Sequence, residues 1–267
     1  MAGEIRDEAA VQQPYYRSVG TEVQVFTAAY AANLPVLIKG PTGCGKSRLV
    51  EKIAAQLGRP LVTVACNDET SAADLLGRWL VKGGDTVWQD GPATRAVRQG
   101  GLLYLDEVAE AREDVLVVLH PLADHRRTLH VDRCGETLTA APGFGLVVSF
   151  NPGYRHGLKD LKPSTRQRFV GIALDYPPAA VEAEIVARES GCDAGLARKL
   201  VDVARRIRGL DELALAETAS TRLLVAAARL VAAGLAPRAA AQAALVQPLS
   251  DDPETLDALD QLVCLGL

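Results

Sequence analysis

The segment "GPTGCGKS" (40–47) fits the spacing GxxxxGK[ST] at every fixed position. A short apolar run, "PVLIKG" (35–40), leads into it, and a helix-forming stretch, "KSRLVEKIAAQL" (46–57), leads out. That context suits a loop that holds a polyphosphate. Gly40, Gly43 and Gly45 permit backbone angles that side chains forbid. The loop N–H groups can then turn toward an anion at the positive end of the following helix. Gly40, Pro41, Thr42, Gly43, Cys44, Gly45, Lys46, Ser47 and Arg48 are therefore the expected phosphate-binding set. Lys46 is expected to reach the outer phosphates, and Ser47 to place its hydroxyl on Mg²⁺. Cys44, beside a helix N-terminus, is either an oxidisable thiol or a small residue that fits the loop.

"LLYLDE" (102–107) is an apolar strand that ends in two carboxylates. Adjacent residues of an ideal strand face opposite ways, but a strand end loosens that rule. Asp106 is expected to hold Mg²⁺ through its water shell, and Glu107 to orient and polarise an attacking water. "VVSFNP" (147–152) is a second buried strand with a polar end. There Asn151 either hydrogen-bonds the water or a terminal phosphate, or simply forms the turn before Pro152. "LKPSTRQRF" (161–169) carries Arg166 and Arg168 with no carboxylate near them in sequence.

These residues need a scaffold that brings strand ends together. Short, β-branched, apolar runs recur at 35–40, 61–65, 101–106, 144–150 and 169–176. Runs apolar on both alternating faces are expected in a parallel sheet covered on both sides. Helical patterns, including one over 18–34, separate most of them, which predicts an α/β fold of three layers, helix–sheet–helix. Two stretches interrupt the alternation. Residues 75–92 carry both tryptophans, and 127–140 alternate around "DRCGE" as a β-hairpin does. Residues 1–13 read as a loose tail. After "DYPP" (175–178) the composition turns helix-forming, with helices expected at 178–190, 194–208, 220–233, 236–246 and 252–264. The expected domains are 1–177, α/β, and 178–267, small and all-α.

Composition narrows the function classes. Hydrophobic residues make up 48% and charged residues 23%, which places the chain among globular proteins. The net charge of -4 lacks the basic excess of a duplex-binding domain, so nucleic acid is not an expected partner. No apolar run approaches the length of a membrane span. The polar, acidic start is unlike a signal peptide, and a cytoplasmic location is expected. Five scattered cysteines without a CxxC pair fit reduced thiols. His120, His125 and His130 recur every five residues, which is not a helical ligand spacing.

In this order "GPTGCGKS", "LLYLDE", "SFNP", "RQRF" and "STR" (220–222) resemble the Walker A, Walker B, sensor 1, arginine finger and sensor 2 of an AAA+ P-loop ATPase. The two interrupting stretches resemble the helix-2 insert and pre-sensor hairpin of the MoxR branch. "YYRSVGTEV", "LPVLIKGPTGCGKS", "GRPLVTVACND", "VWQDGPATRAVR" and "SFNPGY" are similar to the CbbQ/NorQ/NirQ subfamily. That resemblance implies binding of ATP and ADP with Mg²⁺, ATP hydrolysis, a homo-oligomeric, hexameric ring, and an adaptor of the CbbO/NorD type with a von Willebrand A domain. It implies a remodelling ring whose client is Rubisco, freed of inhibitory sugar phosphates, in the CbbQ case. The alternatives are a chaperone for nitric oxide reductase maturation, as in NorQ and NirQ, or a nucleotide-gated module that assembles without remodelling. By motif, Asn151 becomes sensor 1, Arg168 the finger acting on a neighbouring subunit, and Arg222 sensor 2. Arg166 is a second finger or an interface salt bridge. Tyr15–Val23 becomes the wall beside the base. "LLGRWL" departs from the usual pore-loop order, so Trp79 either threads substrate or packs.

Overall fold

The computed structural model describes residues 14–152, 161–210, 215 and 217–267. The tail at 1–13 and the last two residues of "SFNPGY" lie outside the described residues. The chain divides into two compact units. One holds Gly20–Lys39 and Lys46–Ala173; the other holds Tyr15–Val19, Gly40–Gly45 and Leu174–Leu267. The division runs through the glycine-rich loop.

The strands of the first unit are, in chain order, β1 (Val36–Lys39), β2 (Leu61–Ala65), β3 (Gly77–Lys82), β4 (Asp85–Asp90) and β5 (Leu102–Asp106). After them come β6 (Thr128–Val131), β7 (Glu136–Thr139), β8 (Gly145–Phe150) and β9 (Val170–Ala173). Five of these form one parallel sheet in the order β2-β5-β8-β1-β9. Helices α1 (Glu22–Ala31), α2 (Lys46–Leu57), α3 (Ala72–Leu76), α4 (Pro92–Gln99), α5 (Glu113–Leu119) and α6 (Pro163–Arg166) complete the unit. The expected helix–sheet–helix sandwich is borne out. The expectation that every strand is buried on both faces is not. β5 and β8 are buried almost throughout, whereas β2 and β9 are half-exposed. The reason is topological: β2 and β9 are the edges and have a neighbour on one side only.

Sheet order places the ends that matter side by side. β8 lies between β5 and β1, with Leu105 opposite Val148 and Ile38 opposite Ser149. The carboxyl ends of β1, β5 and β8 therefore line up, and ligands of open parallel sheets bind at such ends. Polar Tyr104 and Ser149 lie within the buried strands, at 1% and 0% exposure.

The interrupting stretches are two antiparallel hairpins, β3–β4 and β6–β7. Trp79 and Trp88 face each other across β3–β4, edge to face, with centroids 5.4 Å apart. Trp79 is half-exposed, and its indole N–H donates to the Arg133 carbonyl of the other hairpin, 3.1 Å away. Arg98 of α4 joins them again by pairing with Asp90 and Glu136.

The second unit is helical: α7 (Ala179–Ser190), α8 (Ala194–Arg208), α9 (Thr221–Ala232), α10 (Pro237–Ala241) and α11 (Pro253–Gly266). Asp193, Ser220 and Asp252 cap α8, α9 and α11 by accepting backbone N–H groups. Gly191 ends α7 at φ 73°, a conformation that favours glycine. Leu200, Val203 and Ile207 of α8 are buried against Leu224, Leu245 and Leu259. The straight helix expected at 236–246 stops at Ala241 and widens into a π turn over Gln242–Val246. Pro248 just beyond has no N–H with which to continue an α-helical ladder.

Candidate functional site

In the first unit, Lys46 and Ser47 open α2, and Lys46 is buried. The Ser47 hydroxyl donates to Asp106 Oδ2 at 3.1 Å. On the other carboxylate oxygen, Asp106 Oδ1 accepts from Ser149 at 2.5 Å and from Tyr104 at 2.7 Å. Tyr104 also lies 3.3 Å from the Ser47 hydroxyl and 3.1 Å from that of Ser149. Three hydroxyls thus converge on one carboxylate, and such charge-assisted bonds are the strong ones. Burial first, and Asp106 second, push the Tyr104 phenol well above its usual range, so it stays a donor.

Glu107 follows at φ 56°, ψ 45°, left-handed for a residue that is not glycine. This turn ends the alternation of β5. The Glu107 N–H donates to Ser149 Oγ at 3.3 Å, and its carbonyl accepts from the Glu110 N–H at 2.9 Å. Burial pushes the Cys66 thiol up to about 12, and Asp106 and Glu107 add to the shift. Asn151 comes directly after β8.

Both finger candidates have partners within the chain. The Arg166 guanidinium stands 5.5 Å from the centre of the Phe150 ring. Arg168 Nη1 lies 3.6 Å from Asp124 Oδ2. Asp124 is bound mainly by Arg126, with Nη2 at 2.6 Å, and that hydrogen bonding holds its carboxyl below the usual range. Arg168 is thus only loosely engaged.

The second unit contains the loop Gly40–Gly45. Gly43 (φ 68°) and Gly45 (φ 107°) adopt the left-handed region. A Cβ on Gly43 would stand 2.7 Å from Ser220 Cβ and 3.2 Å from Arg222 Cβ, so the first turn of α9 lies against the loop. A Cβ on Gly40 would meet the Leu174 carbonyl oxygen at 2.5 Å. Thr42 Oγ1 donates to Glu217 at 2.8 Å, and the Tyr176 hydroxyl donates to the Thr42 carbonyl at 3.0 Å. Arg208 stacks 3.8 Å from the Tyr176 ring centre and binds Glu182 through both nitrogens, at 2.8 and 2.7 Å. Tyr16 lies beside Gly45, 3.6 Å from the position of its missing Cβ.

Sequence reasoning named Ser47, Asp106 and Glu107 and missed the groups that touch them. Tyr104 and Ser149 did leave a signal. Each is a polar residue inside an apolar strand, two positions from a named site residue and so on its face. Tyr176 and Glu217 left none, because Thr42 is 134 and 175 residues away.

The donor set can be tested against Mg²⁺. That ion takes oxygen ligands, keeps several waters and needs only one or two protein groups beside phosphate. A hydroxyl and a carboxylate oxygen 3.1 Å apart fit such a partial shell. Among the described residues no group of three or more His, Cys, Asp and Glu could hold a metal by itself. That covers His120, His125 and His130. Likewise, no helix among the described residues is long and apolar enough to cross a membrane.

Known proteins resemble this chain in sequence and in fold. The family described as "AAA domain (dynein-related subfamily)" matches residues 35–169, and "CbbQ/NirQ/NorQ C-terminal" matches 182–265. Protein NorQ of Paracoccus denitrificans is 59% identical over 95% of this chain and 94% of its own. The denitrification regulatory protein NirQ of Stutzerimonas stutzeri is 56% identical over 94% and 91%. Protein CbbQ of Hydrogenophilus thermoluteolus is 54% identical over 96% of each chain. Two solved RuvB variants of Thermotoga maritima superpose with TM-scores of 0.54 at 15% and 16% identity. They cover 90% of this chain and 67% and 66% of theirs, a likeness of fold alone.

Proposed function

We propose, from the premise that this chain belongs to the CbbQ/NirQ/NorQ family of AAA ATPases, that it hydrolyses ATP in a ring and uses the cycle to remodel a partner protein. The observation that carries this is the 3.1 Å contact between Ser47 and Asp106, next to Lys46 and at the aligned strand ends.

Each residue then has a role. Gly40, Pro41, Thr42, Gly43, Cys44, Gly45 and Arg48 shape the phosphate cradle, and Lys46 neutralises the outer phosphates. Ser47 holds Mg²⁺ directly and Asp106 through its water shell. When bound, Mg²⁺ supplies electrostatic neutralisation of developing phosphate charge. Glu107 orients and polarises the attacking water, and Asn151 senses it from the adjacent strand end. Arg168 reaches the γ-phosphate held by a neighbouring subunit of a hexamer. Arg166 supports that interface, and Arg222 reports nucleotide state to the helical unit.

A client in denitrification, nitric oxide reductase, is placed first, because identity to the NorQ and NirQ proteins is 59% and 56%. The Rubisco client expected from the sequence is the second reading, supported by 54% identity to CbbQ. In either case an adaptor with a von Willebrand A domain would select the client. The test is Mg²⁺-dependent ATPase activity of the purified chain, with and without adaptor. Stimulation of reductase maturation supports the first reading, and release of sugar phosphates from Rubisco supports the second. A chain that binds no nucleotide would refute both.

A further inference from the structure

The family motifs name Asp106, Glu107 and Asn151 but are silent on what fixes the carboxylate. We infer that Ser149 and Tyr104 are positioning residues of the nucleotide site: Ser149 locks Asp106 to the backbone of Glu107, while Tyr104 holds Asp106 and neighbours the Ser47 and Ser149 hydroxyls without bonding to Glu107. The inference rests on the proposed ATPase reading and deepens it.

Proton counting separates the two residues. Each hydroxyl has one proton to give. Ser149 gives its own to Asp106 Oδ1, at 2.5 Å, and accepts the Glu107 N–H on a lone pair, at 3.3 Å. It therefore bridges the metal-side carboxylate and the residue that handles water. Tyr104 gives its proton to the same Oδ1, at 2.7 Å, and has no contact with Glu107 of this kind. With Oδ1 occupied twice, Oδ2 is the oxygen turned to Ser47. The carboxylate cannot exchange its two oxygens without breaking two buried bonds, since Tyr104 and Ser149 are 1% and 0% exposed.

The backbone adds a second reason. Glu107 sits in the left-handed region, where a side chain costs energy. Such a conformation persists only if its surroundings hold it. Ser149 Oγ is the side-chain acceptor of its N–H, and the Glu110 N–H holds its carbonyl. Without Ser149 this restraint on the Glu107 backbone is lost, and the strained conformation is held less firmly.

The test uses the full chain and its Tyr104→Phe and Ser149→Ala variants, both of which preserve shape. One measurement is the Mg²⁺ concentration that half-saturates binding of a fluorescent ATP analogue. Removing an outer partner of a metal site typically weakens the metal about 10–100-fold, so both variants should need about tenfold more Mg²⁺. The other measurement is kcat and KM for ATP at saturating Mg²⁺. There Ser149→Ala should lose at least about tenfold more kcat than Tyr104→Phe, with little change in KM, because it also loosens the hold on Glu107. Unchanged Mg²⁺ dependence in both variants overturns the inference. Equal kcat losses in the two overturn the bridging role of Ser149. Should Ser149→Ala fail to fold, Ser149→Cys, which keeps the size but offers only a weak acceptor and donor, takes its place in both measurements. An unmutated chain that binds Mg²⁺–nucleotide but does not hydrolyse it would refute the ATPase reading, while the binding measurement still judges Tyr104 and Ser149.

Discussion

The Arg168 guanidinium lies 3.6 Å from the Asp124 carboxylate of its own chain, and Asp124 is already held at 2.6 Å by Arg126. A loose, partly exposed ion pair of this kind adds little to stability, because solvent screens it. Arg168→Ala should therefore unfold at nearly the same denaturant concentration as the parent. If Arg168 acts on a neighbour's γ-phosphate, the variant should bind ATP yet lose hydrolysis by about 10³-fold. Mixing it with Glu107→Gln subunits should restore part of the activity, and absence of any restoration counts against action between subunits.

Glu107 combines a functional carboxylate with an unfavourable backbone. Glu107→Gly should relieve the left-handed strain and raise stability by about 1 kcal/mol, read as a higher unfolding midpoint. Glu107→Gln keeps the strain, so its midpoint should stay put. Both variants should bind ATP and hydrolyse it at least about 100-fold more slowly.

Arg208 and Glu182 form a doubly hydrogen-bonded pair in the helical unit, with Glu182 fully buried and also accepting from Thr221 at 2.6 Å. Removing one member strands a buried charge. Arg208→Ala should cost about 3–5 kcal/mol, measured by urea unfolding. Arg208→Lys should recover only part of this, because one ammonium cannot span both oxygens and the Ala219 carbonyl, 2.7 Å from Nε.

Cys66 is buried and its thiol is pushed up to about 12, while Cys264 is exposed. The thiolate is the reactive form. Iodoacetamide at mild alkaline pH should label Cys264 in the native protein and leave Cys66 unmodified, as read by mass spectrometry of peptides. Rapid labelling of Cys66 would contradict its burial beside Asp106.

His120 lies 3.3 Å from Thr165, and burial, then Arg168, lowers its pKa from the ordinary 6.5, with Asp124 opposing. As pH falls, the unfolded chain therefore takes up this proton first. Stability from this group is complete above about pH 6.5 and declines as pH drops below it. Denaturant midpoints measured from pH 8 downward should fall less steeply in His120→Gln. An identical slope would remove His120 from the acid sensitivity.

Sequence by itself determined the local chemistry of this protein. Spacing picked out the loop at 40–47, because glycines and a following helix are a short-range requirement. Short β-branched apolar runs picked out the sheet strands, and caps such as Asp193 and Asp252 marked where helices start. Each of these properties is set within a few residues. Tertiary structure alone decided which strands became half-exposed edges, since that depends on sheet order rather than on composition. It decided that Ser149 of β8 would meet Asp106 of β5, because neighbouring parallel strands are joined by long connections whose register no local pattern encodes. It also found Asp124 for Arg168 and Tyr176 for Thr42. Hydrogen bonds and charges act through space, so residues far apart in the chain become partners only once the core has packed.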